Sequence, residues 1–254
     1  MRKNLLKEKL QNGEVVYGPF MKLMDPAIIE ILGNTGFDFA IIDTEHGPYS
    51  IESAQNMVRA ADLRGITPII RIPENEAHLA LRALDIGAGG VQIPQVSSKE
   101  AAIQAGQCAK YHPKGDRGVC CFTRAAEYGN VKPPQHFETS NAETVVIVHI
   151  EGMDGINNLD EILTVDGLDV IFLGPWDLSQ SCGVPGQVDH PDVTMKMEDA
   201  VKRCRDAGKA VGTFVVTQEN AKKWKNIGVQ YISTWVDANI FHNACADIMA
   251  KLRG

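Results

Sequence analysis

Short runs of apolar residues, rich in Val and Ile, alternate along the chain with longer stretches whose apolar positions have helical spacing. The short runs are almost continuously apolar, which is typical of strands buried on both faces. The predicted strands are residues 15–20, 39–45, 67–72, 90–96, 144–151, 169–175, 210–216 and 231–237.

The stretches between the strands carry the signals of helix ends. Residues 50–65, for example, begin with a serine suited to an N-cap and end on a glycine. Strands that alternate with helices predict a parallel sheet, and eight such units in a chain of this length predict a closed (β/α)₈ TIM barrel. An open doubly wound sheet is the alternative, but no G-x-G-x-x-G motif follows the first strand. We expect one domain over residues 1–254.

One segment, residues 111–143, interrupts the alternation and is rich in Pro and Gly. It is predicted to be an insertion between the fourth and fifth strands. We expect it at the carboxyl ends of the strands, where the walls of barrel active sites are built.

The charge and apolar content of the chain exclude several classes of protein. Its 25 basic and 32 acidic residues give a net charge of −7, without the basic patch that nucleic-acid binding requires. No apolar stretch is long enough to cross a membrane, and the first residues lack the pattern of a secretory signal. The six cysteines form no C-x-x-C pair. We expect a cytoplasmic protein that binds neither nucleic acid nor membrane.

Polar side chains stand at the predicted carboxyl ends of most strands, which is the catalytic end of a barrel. They are Asp43, Glu45 and His46 after the second strand, Arg71 after the third, Gln92 and Gln95 after the fourth, His149 and Glu151 after the fifth, Asp177 after the sixth, and Asp237 after the eighth. No lysine stands at a predicted strand end, so a Schiff-base mechanism lacks its amine.

Glu151 and Asp177 are the candidate metal ligands. They follow neighbouring strands, and carboxylates gathered in one apolar mouth repel each other unless a cation lies between them. Oxygen ligands suit Mg²⁺, Mn²⁺ or another divalent ion. His149 points to the same face as Glu151 and is either a third ligand or a donor to bound substrate. The alternative is that Glu151 pairs with a basic residue and His149 is a packed core histidine.

His46 is the candidate acid–base residue. It follows a strand in a turn marked by Gly47 and Pro48, and a histidine with a carboxylate partner is the usual proton-transfer device near neutral pH. The alternative is a loop histidine that caps the following helix. Asp85, in the helix before the fourth strand, is either a surface acid or a participant in the site.

Several motifs together resemble the metal-dependent 2-oxo-acid aldolases of the HpcH/HpaI family. The resemblance covers roughly residues 14–250. The motifs are FDFAIIDTEHGPYS, PIIRIP, ALDIGAGGVQIPQV, YHPKGDRGV, HIEGMDGINNLDEIL and VIFLGPWDLSQSCGVPGQVDHPDV.

The resemblance implies a barrel of the phosphoenolpyruvate/pyruvate type, with its last helix exchanged between subunits and dimers assembled into a hexamer. It also implies a class II aldolase that cleaves a 4-hydroxy-2-oxo acid to pyruvate and an aldehyde, with Mg²⁺, Mn²⁺ or Co²⁺ as cofactor. Glu151 and Asp177 would then bind the ion, Arg71 would contact the C2 oxygen, and His46 with Asp43 or Asp85 would handle protons.

The remaining expected contacts concern the substrate. The substrate-binding residues are expected to be Arg71, His149, Trp176, Asp177 and Phe214. Arg117, Arg124 and Tyr128 of the insertion are expected to recognise the aldehyde half.

This chain departs from the family pattern at two positions. His149 stands where the family commonly has Gln, and Trp176 stands where a small residue is common. Two rival functions stay open: a CoA-ester lyase of the citrate lyase β-subunit type, and a non-catalytic barrel that binds a 2-oxo acid.

Overall fold

The computed structural model describes residues 3–254, and its eight strands close into one parallel barrel in the order in which they follow along the chain. The predicted TIM barrel is therefore confirmed. The strands are β1 Val16–Met21, β2 Phe39–Asp43, β3 Thr67–Arg71, β4 Gly90–Ile93, β5 Val145–Ile150, β6 Val170–Leu173, β7 Ala210–Val215 and β8 Tyr231–Val236.

Helices follow the strands around the outside of the barrel, and their ends carry the expected caps. In the third helix the Ser50 side chain accepts a hydrogen bond from the Ser53 N–H, and Gly65 ends the helix in the left-handed conformation. The helices are α1 Leu5–Gln11, α2 Pro26–Asn34, α3 Ile51–Arg64, α4 Ala77–Asp85, α5 Lys99–Ala109, α6 Pro133–Glu143, α7 Met153–Asn157, α8 Leu159–Leu163, α9 Pro175–Ser181, α10 Pro191–Asp206, α11 Gln218–Ile227 and α12 Asp237–Arg253, with a 3₁₀ segment at Arg124–Gly129.

Side chains alternate between two apolar layers along each strand. On β2, Phe39 and Ile41 point into the barrel, whereas Ala40 and Ile42 pack against the surrounding helices. The next inward position is Asp43, the last residue of the strand, and it is fully buried. The period of two therefore delivers a carboxylate to the inner rim at the carboxyl end.

Helix α1 closes the amino end of the barrel. Leu6 and Leu10 join the apolar cluster that fills the barrel interior, and both are buried. The Asn4 side-chain amide donates hydrogen bonds to two backbone carbonyl groups. One belongs to Gly89, directly before β4, and the other to Glu143, two residues before β5. This end of the barrel is thereby sealed by apolar packing and by bonds to the backbone.

The insertion lies at the amino end of the barrel, so the expectation that it forms a wall of the active site is wrong for its own barrel. It follows α5, and in a parallel barrel the chain has by then returned to the amino ends of the strands. Arg124 accordingly bonds the Ile86 carbonyl, just before β4, and the Asp62 carboxylate near the end of α3. Arg117, Arg124 and Tyr128 therefore lie away from the rim of their own barrel.

Helix α12 does not pack along the barrel as the other outer helices do. Of its residues, all of which the structure describes, Asp237 alone is buried. Its exposed large apolar side chains are Ile240, Phe241, Ile248, Met249 and Leu252. Over residues 3–254, no helix combines the length and the apolar character that crossing a membrane requires.

Candidate active site

The Arg71 guanidinium and the Asp43 carboxylate form a buried ion pair at the carboxyl end of the barrel. Two N–H groups of Arg71 donate to the two Asp43 oxygens at 2.9 and 2.7 Å. Burial would raise the pKa of Asp43, but the hydrogen bonds and charge of Arg71 outweigh burial and lower it to about 2. Arg71 also lies 4.7 Å over the ring of Phe20. The guanidinium is thereby fixed on two sides, as a positioned positive charge requires.

Glu45 and His46 follow Asp43 in the turn after β2. The backbone N–H groups of both residues donate to one Asp43 oxygen, at 3.1 and 3.2 Å. Glu45 lies 2.9 Å from a third Arg71 nitrogen, and burial raises its pKa. The His46 side chain is 63% exposed, and its Nε2 is 3.9 Å from Glu45. The carboxylate nearest the imidazole is therefore Glu45, while Asp43 holds the backbone of the turn.

His149 and Glu151 form a second buried pair at the end of β5. His149 Nδ1 is 2.9 Å from Glu151 Oε2, and the Gln95 backbone N–H donates to Glu151 Oε1 at 2.8 Å. Burial alone would raise the pKa of Glu151, but His149, the Gln95 N–H and Arg71 lower it to about 2. These contacts therefore favour the charged form of the Glu151 carboxylate.

Asp177 and Glu151 line the same cleft, which has a volume of about 340 Å³. Asp177 is exposed in the first turn of α9, after β6. Gly174 lets the two segments approach, because a Cβ atom at this position would lie 2.7 Å from the Glu151 Cβ and 2.8 Å from its Oε2. The sequence prediction that strands five and six deliver two carboxylates to one place therefore agrees with the geometry.

The residues around this cleft fit a divalent ion. They supply one carboxylate that is held anionic and one that is open to solvent, and Mg²⁺ commonly uses one or two protein carboxylates and completes its shell with water and substrate. Within residues 3–254, no group of three or more His, Cys, Asp or Glu side chains is arranged to hold a metal. His149 in particular has both ring nitrogens engaged, by Gln92 and by Glu151.

Trp176 and Phe214 lie beside this arrangement. The Trp176 indole is 49% exposed and shares a narrow surface cleft with Phe214 and Val188. The Phe214 ring packs edge-on against Phe20, with 5.6 Å between the ring centres. Phe214 therefore touches the ring that supports Arg71, while the indole stands at the side of the rim.

Asp85 is the predicted site residue that the fold does not bring to the rim. It ends α4, near the start of β4, and its Oδ1 accepts a hydrogen bond from Arg117 Nη2 at 2.6 Å. Within one chain it therefore lies at the opposite end of the barrel from Asp43 and His46.

Lys22 is a residue of the rim that the sequence prediction missed. Strand β1 runs to Met21, so Lys22 directly follows it, and the statement that no lysine stands at a strand end is wrong. Its Nζ donates to Asp43 Oδ2 at 2.8 Å. The prediction failed because it ended the first strand at residue 20, whereas the strand runs to Met21 and Lys22 follows directly.

A sequence model of the family described as HpcH/HpaI aldolase/citrate lyase matches residues 17–244. The chain belongs to this family. The resemblance drawn from the sequence is thereby confirmed, and with it the assignment of the chain to a family of aldolases and lyases.

Named relatives cover nearly the whole chain. A hydroxypyruvate/pyruvate aldolase of Roseobacter denitrificans is 34% identical over 249 residues, which are 98% of this chain and 96% of the relative. A 2-keto-3-deoxy-L-rhamnonate aldolase of Escherichia coli K12 is 34% identical over 251 residues, or 98% of this chain and 93% of the relative.

Solved structures share the fold of this chain. The crystal structure of an HpcH/HpaI aldolase/citrate lyase family protein from Burkholderia cenocepacia superposes with a TM-score of 0.94 at 30% identity, covering 99% of this chain and 100% of that one. A citrate lyase β subunit from M. tuberculosis, complexed with oxaloacetate and magnesium, has a TM-score of 0.60 at 16% identity, over 90% and 93% of the two chains. This second likeness concerns the fold alone.

Proposed function

We propose that this protein is a divalent-metal-dependent aldolase that reversibly cleaves a 4-hydroxy-2-oxo acid to pyruvate and an aldehyde. The observation that carries the proposal is the cleft shared by Glu151 and Asp177, close to the fixed cation Arg71. Family membership and the two named aldolases support the reaction class.

Glu151 and Asp177 are the residues that would hold Mg²⁺, Mn²⁺ or Co²⁺. A bound ion would supply Lewis-acid polarisation of the 2-oxo group. The substrate-binding set Arg71, His149, Trp176, Asp177 and Phe214 stays a proposal, and in it His149 acts through Glu151 and Phe214 acts through Phe20.

Arg71 stabilises the negative charge that develops on the C2 oxygen as the carbon–carbon bond breaks. Asp43 holds the guanidinium in place through two hydrogen bonds, and Lys22 binds the second Asp43 oxygen. Because this scaffold is assembled before substrate binds, the positive charge needs little reorganisation during the reaction.

We expect His46 to take the proton from the 4-hydroxyl group. Its backbone is fixed by Asp43, while its side chain extends from the rim into solvent. The expected partner of the imidazole is Glu45 in the same chain, or Asp85 supplied by an adjacent subunit.

The exposed helix α12 supports a proposal about assembly. Its apolar side chains Phe241, Ile248 and Leu252 lie exposed on a helix that its own barrel does not cover. We expect this helix to pack on a partner barrel, in dimers that assemble to a hexamer. Removal of residues 238–254 should give monomers by analytical ultracentrifugation, and an unchanged assembly would contradict the exchange.

The direct test is an assay of pyruvate release from a panel of 4-hydroxy-2-oxo acids. The assay buffer should match the pH and ionic strength of the cytoplasm, where we expect the protein to work. Treatment with EDTA should abolish release, and Mn²⁺, Mg²⁺ or Co²⁺ should restore it. Activity that survives metal removal would contradict the proposal.

Lys22 makes a second arm of the test necessary. Borohydride added with pyruvate should not modify the protein, because the Lys22 amine is engaged with Asp43. A reduced adduct at Lys22 would instead indicate a Schiff-base aldolase.

The CoA-ester lyase is the rival enzyme. It needs a basic surface for the CoA phosphates, and the rim cations Lys22 and Arg71 are both engaged by Asp43. Turnover of malyl-CoA without turnover of the oxo acids would favour this rival. Metal-dependent pyruvate binding without any cleavage would favour the non-catalytic barrel.

A further inference from the structure

A line of hydrogen bonds runs from the barrel interior to the candidate metal ligand. The Tyr231 hydroxyl donates to Gln92 Oε1 at 3.2 Å, Gln92 Nε2 meets His149 Nε2, and His149 Nδ1 is 2.9 Å from Glu151 Oε2. Tyr231 and Gln92 are fully buried, and His149 is stacked on Phe172 with 4.3 Å between the ring centres. We call Tyr231, Gln92, His149 and Glu151 the relay.

The buried end of the relay fixes its direction. Burial raises the pKa of Tyr231 well above its usual value, so the hydroxyl keeps its proton and needs an acceptor. Gln92 Oε1 is the acceptor placed to receive that proton. The amide of Gln92 then presents its NH₂ group to His149, and an NH₂ group can only donate.

The orientation of Gln92 decides which nitrogen of His149 carries the proton. His149 Nε2 must accept the hydrogen bond from Gln92, so the ring proton sits on Nδ1 and points to Glu151. The opposite orientation of the amide would leave the buried Tyr231 hydroxyl proton without its acceptor. Each donor in the relay therefore has an acceptor in only one arrangement.

We propose that Gln92 is a positioning residue for metal binding, which acts by fixing the His149 tautomer that donates a hydrogen bond to Glu151. This inference rests on the proposed function, because it makes Glu151 the metal ligand. His149 is then neither a third ligand nor a proton-transfer group: its N–H holds one Glu151 oxygen while the Gln95 N–H holds the other. Outer-shell partners of this kind orient ligands and tune metal affinity.

The arrangement also explains what a histidine at position 149 requires and a glutamine would not. A Gln side chain can donate an amide N–H to a carboxylate without further help, whereas an imidazole donates from Nδ1 only when its tautomer is set. Gln92 and Tyr231 supply that constraint here. His149→Gln should therefore keep metal binding, and His149→Leu should lose it.

The first measurement uses metal-free protein labelled with ¹⁵N-histidine. The spectrum of the wild type should give a protonated Nδ1 and an unprotonated Nε2 for His149, with the signal assigned by its absence in His149→Gln. Gln92→Leu should lose this single tautomer. A wild-type ring protonated at Nε2 at neutral pH would overturn the inference.

The second measurement is Mn²⁺ binding by calorimetry. Gln92→Leu should raise the Kd by roughly 10- to 100-fold. The matched control is Thr213→Val, which removes a buried 2.9 Å hydrogen bond to the Leu173 carbonyl on neighbouring strands and should leave the Kd unchanged.

Gln92→Leu leaves the buried Tyr231 hydroxyl without a hydrogen-bond acceptor, which could by itself destabilise the protein. The double variant Gln92→Leu/Tyr231→Phe removes that hydroxyl and so separates an effect on metal binding from a loss of stability. It should bind Mn²⁺ as weakly as the single variant while regaining thermal stability. Wild-type affinity in both variants would overturn the inference and leave the proposed function standing. A wild type that binds no Mn²⁺ would overturn both.

Discussion

Both ends of this barrel bury charged side chains, but the hydrogen-bond partners of Arg71 and Lys110 differ in kind. At the carboxyl end, Asp43 and Arg71 bond each other through side chains that point inward from strand ends. At the amino end, Lys110 is buried and its Nζ donates to the carbonyl groups of Asn141 and Thr144, at 3.1 and 2.7 Å. The charges at the carboxyl end surround a cleft, whereas the buried lysine at the amino end satisfies backbone carbonyl groups.

The pKa values of the buried charged groups at the two ends shift for different reasons. Asp43 and Glu151 are held near a pKa of about 2 by the partners that outweigh burial. Burial, with the charge of Lys7, lowers the pKa of Lys110 to about 7. Buried charge therefore does not identify a site by itself. The rim differs because its carboxylates are stabilised in their charged form, and one of them, Glu151, lines an open cleft.

The largest difference between the ends should come from removing a carboxylate charge. Glu151→Gln keeps the shape of the side chain but removes the charge that would hold the ion, so kcat/KM for pyruvate release should fall by about 10³-fold or more. The matched change at the amino end is Asp169→Asn, which breaks a 3.0 Å ion pair with Lys7. It should lower stability and leave turnover unchanged. Equal losses of turnover would remove the distinction between the ends.

Arg71 tests whether geometry as well as charge matters at the rim. Arg71→Lys keeps the charge but cannot form the paired hydrogen bonds to Asp43, so kcat/KM should fall by about 10²-fold. Arg64→Lys is the control, because Arg64 also donates two hydrogen bonds to a carboxylate, Glu30, but on the surface. Steady-state kinetics of both variants measure the difference, and an active Arg71→Lys enzyme would contradict it.

Asp85 tests whether the two ends meet between subunits. It lies at the amino end with Arg117, so a catalytic role requires that it act in a partner's site. Asp85→Asn should lower kcat by about tenfold or more, within the range of acid–base effects.

The subunit-mixing experiment separates that role from a structural one. Mixed assemblies of Asp85→Asn and His46→Ala subunits should regain activity, since some sites then receive both intact residues. Activity that stays lost on mixing, with folding intact, would assign Asp85 to its own ion pair alone.

The smallest effects should appear in the pH dependence of stability. The folded-state pKa of Glu151 is lowered from 4.5 to about 2, so its contribution to the free energy of unfolding is present above pH 4.5 and is lost as the pH falls towards 2. The folded-state pKa of Lys110 is lowered from 10.5 to about 7, so this residue destabilises the fold increasingly as the pH falls from 10.5 to 7.

Urea unfolding across pH checks both signs. Glu151→Gln should flatten the acid limb, and Lys110→Met should flatten the rise between pH 7 and 10.5. Lys202→Met, at an exposed pair with Asp206, is the control and should change neither limb. A rise that persists in Lys110→Met would contradict the assignment to this lysine.

Much of the rim could be predicted from sequence because strand periodicity decides which way a side chain points. Asp43, Arg71, His149 and Glu151 all follow from apolar runs that end in polar residues at inward positions. The fourth strand was predicted too long, since Gln95 leaves the sheet with φ of 54° to bring its N–H to Glu151. A turn made by a contact with another strand has no signal in its own residues.

The sequence alone determined the barrel, its order of strands and the carboxylates at the ends of strands five and six, because repeated apolar runs and their spacing are local properties. Only the tertiary structure decided that the insertion lies at the amino end, that Lys22 binds Asp43, and that Gln92 contacts His149. These facts depend on which side chains from distant segments meet in space, and periodicity along one segment does not encode the partner it finds across the barrel.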